Sequence, residues 1–339
     1  MAARPGTLYQ AANEEILRCI EAYLVLTKAT KGLSDVTPGA IVNGRTQTIL
    51  LAGLGLGIAH GIDSAEEACA EWKRRQALPF DTETAITAGV YQNIRAIGIT
   101  FLDDVERSTE GFKQFSAEFI AANPYFLPIL QHLSGVFSKA KLKELVGSVS
   151  DTGISRPAAA RLAKVLAERV DPARINKGEI LQRLESTLEG IVRDLVGRVL
   201  LETIVAEALK DASVPYQREE EYESLVGVVY DFRADFVLPN ATNPKAFIEV
   251  RKSSSRHASL YAKDKMFSAI NWKGRNKNLL AVLVVDGDWT GETLRVMANV
   301  FDYVVPVGRS AELAETVKSY LNGDISKLKW LIEFRISPA

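Results

Sequence analysis

Apolar residues recur along this chain with two different periods, and the change from one to the other divides it. Over the first half the spacing is helical. Ile16, Leu17, Ile20, Leu24 and Leu26 stand among polar positions at near-helical intervals, which predicts an amphipathic helix over 8–28. Similar patterns over 64–77, 82–97, 111–122 and 128–137 make this half mainly α-helical. Residues 138–170 read as a basic helix, a Gly/Ser/Asp turn and a second helix, with Ser155 placed to cap it and Pro157 in its first turn. The polar segment DPARINKG, 171–178, is expected to separate the halves. Beyond it, Leu181, Leu184, Leu188, Ile191, Leu195, Val199, Ile204 and Ala208 form the stripe of one long helix over 180–210.

From residue 228 the period changes to two. VVYDFRADFVLPN and KAFIEVRKSSSRHAS read as adjacent strands of a hairpin-like unit, separated by the turn formers Pro239-Asn240 and Asn243-Pro244. The stretch 279–285 is so uniformly apolar that it should be a central strand covered on both faces. Between them, Leu260, Met266, Phe267 and Ile270 mark a helix from which Lys263 and Lys265 are expected to project. A helix over 291–299 and a strand over 303–307 follow, and the polar YQREEEYE at 216–223 suits an edge strand. The expected fold class is α/β, a mixed β-sheet flanked by helices. It carries an α-helical N-terminal domain, so the domains are 1–175 and 176–339.

Charged residues in these apolar strands change the picture. Strand side chains alternate, so Asp231, Arg233 and Asp235 share one face of the first strand while Phe232, Ala234 and Phe236 share the other. On the second strand Phe247, Glu249 and Arg251 share a face. If Asp235 and Glu249 face the same side, two like charges converge, and a divalent cation between them resolves the cost. Glu202, set among Leu200, Leu201 and Ile204, is a third acid in apolar company. Either it joins this site or it is a surface acid paired with Arg198.

An Asp at the end of one strand, Glu-x-(basic) in the next, then a helix and an apolar strand resemble the PD-(D/E)xK nuclease core of type II restriction endonucleases. The resemblance covers residues 184–307 and rests on Asp235, Glu249 and Arg251. Arg251 departs from the family's Lys. The neighbouring Lys252 points to the opposite face of a regular strand and would need a bulge over 250–252 to take that place. The resemblance implies an endonuclease that hydrolyses double-stranded DNA at a specific sequence. Its metal would be Mg²⁺, with Mn²⁺ able to substitute, held by Asp235, Glu249 and the carbonyl of Val250. A helix ahead of the sheet often carries an acid near the metal in such nucleases, which is the place of Glu202. A palindromic target would imply a homodimer. Two alternatives stay open: a repair or recombination nuclease that reads DNA structure, and a non-catalytic DNA-binding protein on a degenerate nuclease fold.

Composition sets the remaining bounds. The 339 residues are 47% hydrophobic and 24% charged, with 41 basic against 42 acidic side chains and a net charge of −1, so nothing global points to nucleic acid. Residues 245–277, however, hold nine basic side chains against two acidic ones, Glu249 and Asp264. Ser254, Ser255, Arg256, His257, Lys263 and Lys265 in this window are candidate DNA contacts. Arg156, Arg161 and Lys164 on the second helix of 138–170 could enter a major groove, although its turn is longer than a helix-turn-helix uses. Two cysteines are too few for a disulfide framework, and MAARPGTLYQ lacks a signal-peptide core, so a cytoplasmic location is expected. Three scattered histidines exclude a zinc-ligand spacing. Gly53-Leu-Gly-Leu-Gly57 has no βαβ context and suggests close packing instead.

Overall fold

A computed structural model describes residues 6–57, 61–76, 79–196, 199–253 and 258–333. The chain packs as two units rather than dividing at one point near 175. Residues 1–19 and 86–197 form one unit, and 20–85 with 198–339 form the other. Among the described residues no helix is long and apolar enough to cross a membrane.

The first unit is helical, as its periodicity indicates. Between its Lys139–Val146 and Arg156–Arg169 helices lies a two-stranded antiparallel hairpin, Val149–Ser150 with Gly153–Ile154. Arg161 does not extend outward. Its Nε donates to the Val146 carbonyl at 2.7 Å, satisfying a carbonyl at the end of the preceding helix. The stripe over 180–210 is helical over Lys177–Val196 in this unit and over Val199–Asp211 in the other, and 197–198 lie outside the described residues.

The second unit is built on a five-stranded sheet. Its strands are β1 (Gln217–Arg218), β2 (Phe236–Leu238), β3 (Ala246–Ser253), β4 (Leu280–Gly287) and β5 (Tyr303–Pro306), in that spatial order. β1–β2 and β2–β3 pair antiparallel, whereas β3–β4 and β4–β5 pair parallel. Helix α1 (Val199–Asp211) precedes β1. Helix α2 (Ala258–Arg275) joins β3 to β4, α3 (Gly291–Met297) joins β4 to β5, and α4 (Ser310–Leu321) follows. β4 is buried from Leu280 through Val285, as its unbroken apolar run requires of a strand covered on both faces. At its end Gly287 has φ +80°, and a Cβ there would lie 2.3 Å from the Ser253 carbonyl oxygen, so only glycine fits. Gly53 likewise lies under the Phe80 ring, where a Cβ would fall 2.1 Å from a ring carbon, whereas Gly55 and Gly57 have open space around them.

Two expectations are corrected here. The expected strand from residue 228 is regular only over Phe236–Leu238. The preceding backbone makes one isolated antiparallel bridge, Leu225 with Phe232, and is otherwise held largely by side chains. Buried Asn271 accepts from the N–H groups of Val229 and Tyr230 and donates to the Tyr230 carbonyl, and the Tyr222 hydroxyl accepts from the Ala234 N–H. Asp231 therefore lies outside the sheet and accepts from the Gly227 N–H. Helix α2 is also rotated from the face its large apolar residues suggest. Leu260 and Phe267 are exposed, while Ala262, Lys265, Ser268, Ala269, Trp272 and Lys273 are buried. Trp272 supplies the bulk, stacking on Phe232 and meeting Phe247 edge-on.

The two lysines on this face are tolerated because each meets an acid. Lys273 Nζ donates to Asp302 Oδ2, both side chains being wholly buried. Asp302 also accepts from the N–H groups of Ala281, Lys329 and Trp330, so its carboxylate ties α2, β4 and the C-terminal segment together. Lys273→Met would leave that charge without its cation. We expect a loss of about 3–5 kcal/mol in chemical denaturation, because a broken buried ion pair strands its partner. A loss within about 0.5 kcal/mol, the range of a surface change, would show the pair to be dispensable.

Candidate active site

Strand pairing sets the two key acids face to face. The β2–β3 register pairs Phe236 with Ile248, and continuing it by one residue places Asp235 opposite Glu249. Directly opposed residues of an antiparallel pair project to the same face, with Cβ atoms about 4.5–5.5 Å apart. Both acids are buried, Glu249 completely.

Each carboxylate is anchored through one oxygen. Asp235 Oδ2 accepts from the Val250 N–H at 2.7 Å, and Glu249 Oε2 accepts from Lys265 Nζ at 2.6 Å. Glu249 Oε1, though buried, has no hydrogen-bond partner among the described residues. No hydrogen bond from a described residue reaches Asp235 Oδ1 either. Buried carboxylate oxygens are normally satisfied, so Glu249 Oε1 retains capacity for a further partner.

The strand is regular over 250–252, without the bulge that Lys252 would need to face the acids. β3 keeps unbroken parallel register with β4 from Ala246 opposite Leu280 to Ser253 opposite Gly287. Arg251 therefore shares the face of Glu249. Its Nη1 donates to the Val250 carbonyl at 2.9 Å, and its guanidinium lies 3.5 Å from Asp235 Oδ2 and 3.7 Å from Glu249 Oε2. Lys252 turns to the other face and pairs with Glu83 at 2.6 Å, away from the carboxylates.

Electrostatics follow from this crowding. Burial, then the charge of Asp235, push the Glu249 carboxyl up to about 8, against the pull of Lys265 and Arg251. On α1, burial and then Asp235 raise Glu202 to about 7, while Arg251 and Arg218 act in the opposite direction. Glu202 thus belongs to the same electrostatic environment as the two strand acids.

Among the described residues no group of three or more His, Cys, Asp or Glu side chains forms a metal cage. The donor set is smaller: the open oxygens of Asp235 and Glu249 and the carbonyl of Val250. These are hard oxygen donors, and the orphaned buried Oε1 of Glu249 fits a divalent cation of the Mg²⁺ or Mn²⁺ kind.

The candidate DNA contacts fare unevenly. Lys263 is exposed as expected, but Lys265 is buried on Glu249 and cannot also lie along a phosphate backbone. Arg251, Lys252, Lys273 and Lys277 of the basic window pair with acids as well, so the window is not a free cationic stripe. Ser254, Ser255, Arg256 and His257 lie outside the described residues. The missed residue is Lys265 as a partner of Glu249. Its signal was present in spacing, since Lys265 falls in phase with Ala262, Ala269 and Trp272 on α2. Comparison with family models, with characterised proteins and with solved structures finds no match for this chain.

The raised acids make stability pH-dependent. An acid whose folded pKa lies above its unfolded value of about 4.3 binds more protons in the native state, so its contribution is full below that value and is lost as pH rises through the folded pKa. With Glu202 near 7 and Glu249 near 8, the metal-free protein should lose stability between about pH 5 and pH 8. Glu249→Gln should flatten the profile of melting temperature against pH in this window. A variant profile parallel to the wild type would show that Glu249 does not take up the proton.

Proposed function

We propose that the protein is a divalent-metal-dependent endonuclease acting on double-stranded DNA, of the type II restriction kind. The observation that carries this reading is the pair Asp235 and Glu249, opposed across β2 and β3, each anchored through one oxygen and open at the other. Two acids and a strand carbonyl beside an invariably charged arginine suit phosphodiester hydrolysis better than acyl transfer, for which the sequence signals no oxyanion hole.

The residues divide the work by their chemistry. Asp235, Glu249 and the Val250 carbonyl would hold Mg²⁺, which supplies the positive charge that screens a phosphate from an approaching nucleophile. Arg251 cannot serve as a base because it does not lose its proton near neutrality, so its part is to hold the phosphate and stabilise charge in the transition state. Glu202, with its proton affinity near neutral pH, is suited to accept the proton that an attacking water loses. Lys252 has no part in the chemistry, since its partner Glu83 lies on the other face. A palindromic target would call for a homodimer with paired sites.

Plasmid or phage DNA incubated with Mg²⁺, and in parallel with EDTA, tests the proposal. Discrete fragments with Mg²⁺ alone support sequence-specific cleavage, and cutting confined to branched or damaged DNA points to a repair nuclease. Intact DNA with Mg²⁺ and Mn²⁺ sinks the enzyme reading. Asp235→Asn or Glu249→Gln should abolish cleavage while duplex binding persists. Arg251→Ala should slow single-turnover cleavage by about 10²-fold, the scale of one lost transition-state contact. Lys252→Ala should cut at nearly the wild-type rate, and an inactive Lys252→Ala with normal Arg251→Ala would reverse these assignments.

A further inference from the structure

The site contains two cations, and they are held very differently. Lys265 Nζ makes a direct 2.6 Å bond to Glu249 from a side chain that is only 9% exposed on a helix packed against β3. Arg251 is 32% exposed and reaches the two acids only at 3.5 and 3.7 Å. Its one hydrogen bond in the site goes to the Val250 carbonyl. The first is a fixed counter-ion. The second is a long side chain resting on three oxygen-bearing groups without a close bond to either acid.

The same three groups would hold a divalent cation, which would share the Val250 carbonyl with Arg251 and use the carboxylate oxygens that Arg251 leaves open. The guanidinium of Arg251 donates to the Val250 carbonyl and lies beside the anchored Oδ2 of Asp235 and Oε2 of Glu249, so its positive charge stands next to the place a metal's charge would take on the open oxygens. With Lys265 and Arg251 both in place, protein cations already balance the negative charge that Asp235 and Glu249 can carry. A metal ion approaching alone meets two cations and gains little. A phosphodiester offers the guanidinium a better partner, because its planar fork matches two phosphate oxygens.

We propose that Arg251 is a displaceable internal cation that gives up the Val250 carbonyl and the negative charge of Asp235 and Glu249 to a divalent metal when a phosphodiester draws its guanidinium away, so that metal and DNA bind cooperatively. Lys265 stays on Glu249 throughout, as its positioning residue. This rests on the metal-site reading above. The coupling is reciprocal, as any linkage between two binding equilibria must be: metal tightens DNA binding by the same factor by which DNA tightens metal binding.

The test is Mn²⁺ binding to the full chain, followed by calorimetry and by the loss of the free Mn²⁺ paramagnetic resonance signal, with and without a short DNA duplex. The wild type should bind Mn²⁺ weakly alone and about tenfold or more tightly with duplex, within the usual range of such couplings. Arg251→Gln removes the charge while keeping a polar side chain. It should bind Mn²⁺ about tenfold or more tightly than the wild type without DNA, and duplex should add little. Thermal unfolding of the variant confirms that it is folded. Equal Mn²⁺ affinity of wild type and Arg251→Gln without DNA, with equal response to duplex, would overturn the displaceable cation and leave the metal site standing. Absence of Mn²⁺ binding in both proteins, with and without duplex, would instead remove the underlying metal-site reading. Glu249→Gln is the control that should abolish binding in either case.

Discussion

A fully buried glutamate on the core-facing side of a sheet strand is the constraint around which this unit is arranged. Glu249 stands two residues from Phe247, which lies in the hydrophobic core with Trp272 and Phe301. Leaving its charge unpaired there would cost several kcal/mol, on the order of its net effective desolvation. The structure meets this cost from three directions: Lys265 from α2, Arg251 two positions along the strand, and a share of proton binding by the acids themselves. None of the three is a local consequence of the Glu249 neighbourhood in sequence except Arg251.

Helix α2 pairs the site with the scaffold by a single device used twice. Its buried face carries Lys265 and Lys273, eight positions apart in the numbering, and each lysine ends on an acid contributed by the sheet region. The two pairs differ in how completely the acid is satisfied. Asp302 accepts from Lys273 and three backbone N–H groups, which spends its acceptor capacity on structure. Glu249 accepts from Lys265 alone and keeps one oxygen open. By that difference the Asp302 carboxylate is closed to further partners and the Glu249 carboxylate is not, although their ion-pair geometry is alike.

Regular backbone also decides which cation faces the acids. Because β3 runs in unbroken register along β4, alternation alone assigns Arg251 to the face of Glu249 and Lys252 to Glu83. The antiparallel β2–β3 pairing then brings Asp235 across from Glu249 even though the strand before Phe236 is irregular. The irregular segment is held by Asn271 and Tyr222, so the position of Asp235 depends on side chains well outside its own strand.

Much of this was legible in the linear order of residues, and for reasons of periodicity. Apolar alternation with its turn formers marks the Ala246–Ser253 strand, the uniform run marks Leu280–Gly287, and helical spacing marks the first half. The candidate acids and Arg251 follow from these elements because a side chain's face is a local property of a strand. Three things were not local. The face that α2 buries was set by Trp272 and by partners for Lys265 and Lys273, overriding the larger Leu260 and Phe267. The basic window lost its apparent freedom because Lys252, Lys265, Lys273 and Lys277 found acids elsewhere in the chain, and an ion pair between distant residues leaves no periodic trace. The division of the chain joined 20–85 to 198–339, since packing follows complementary surfaces rather than sequence order.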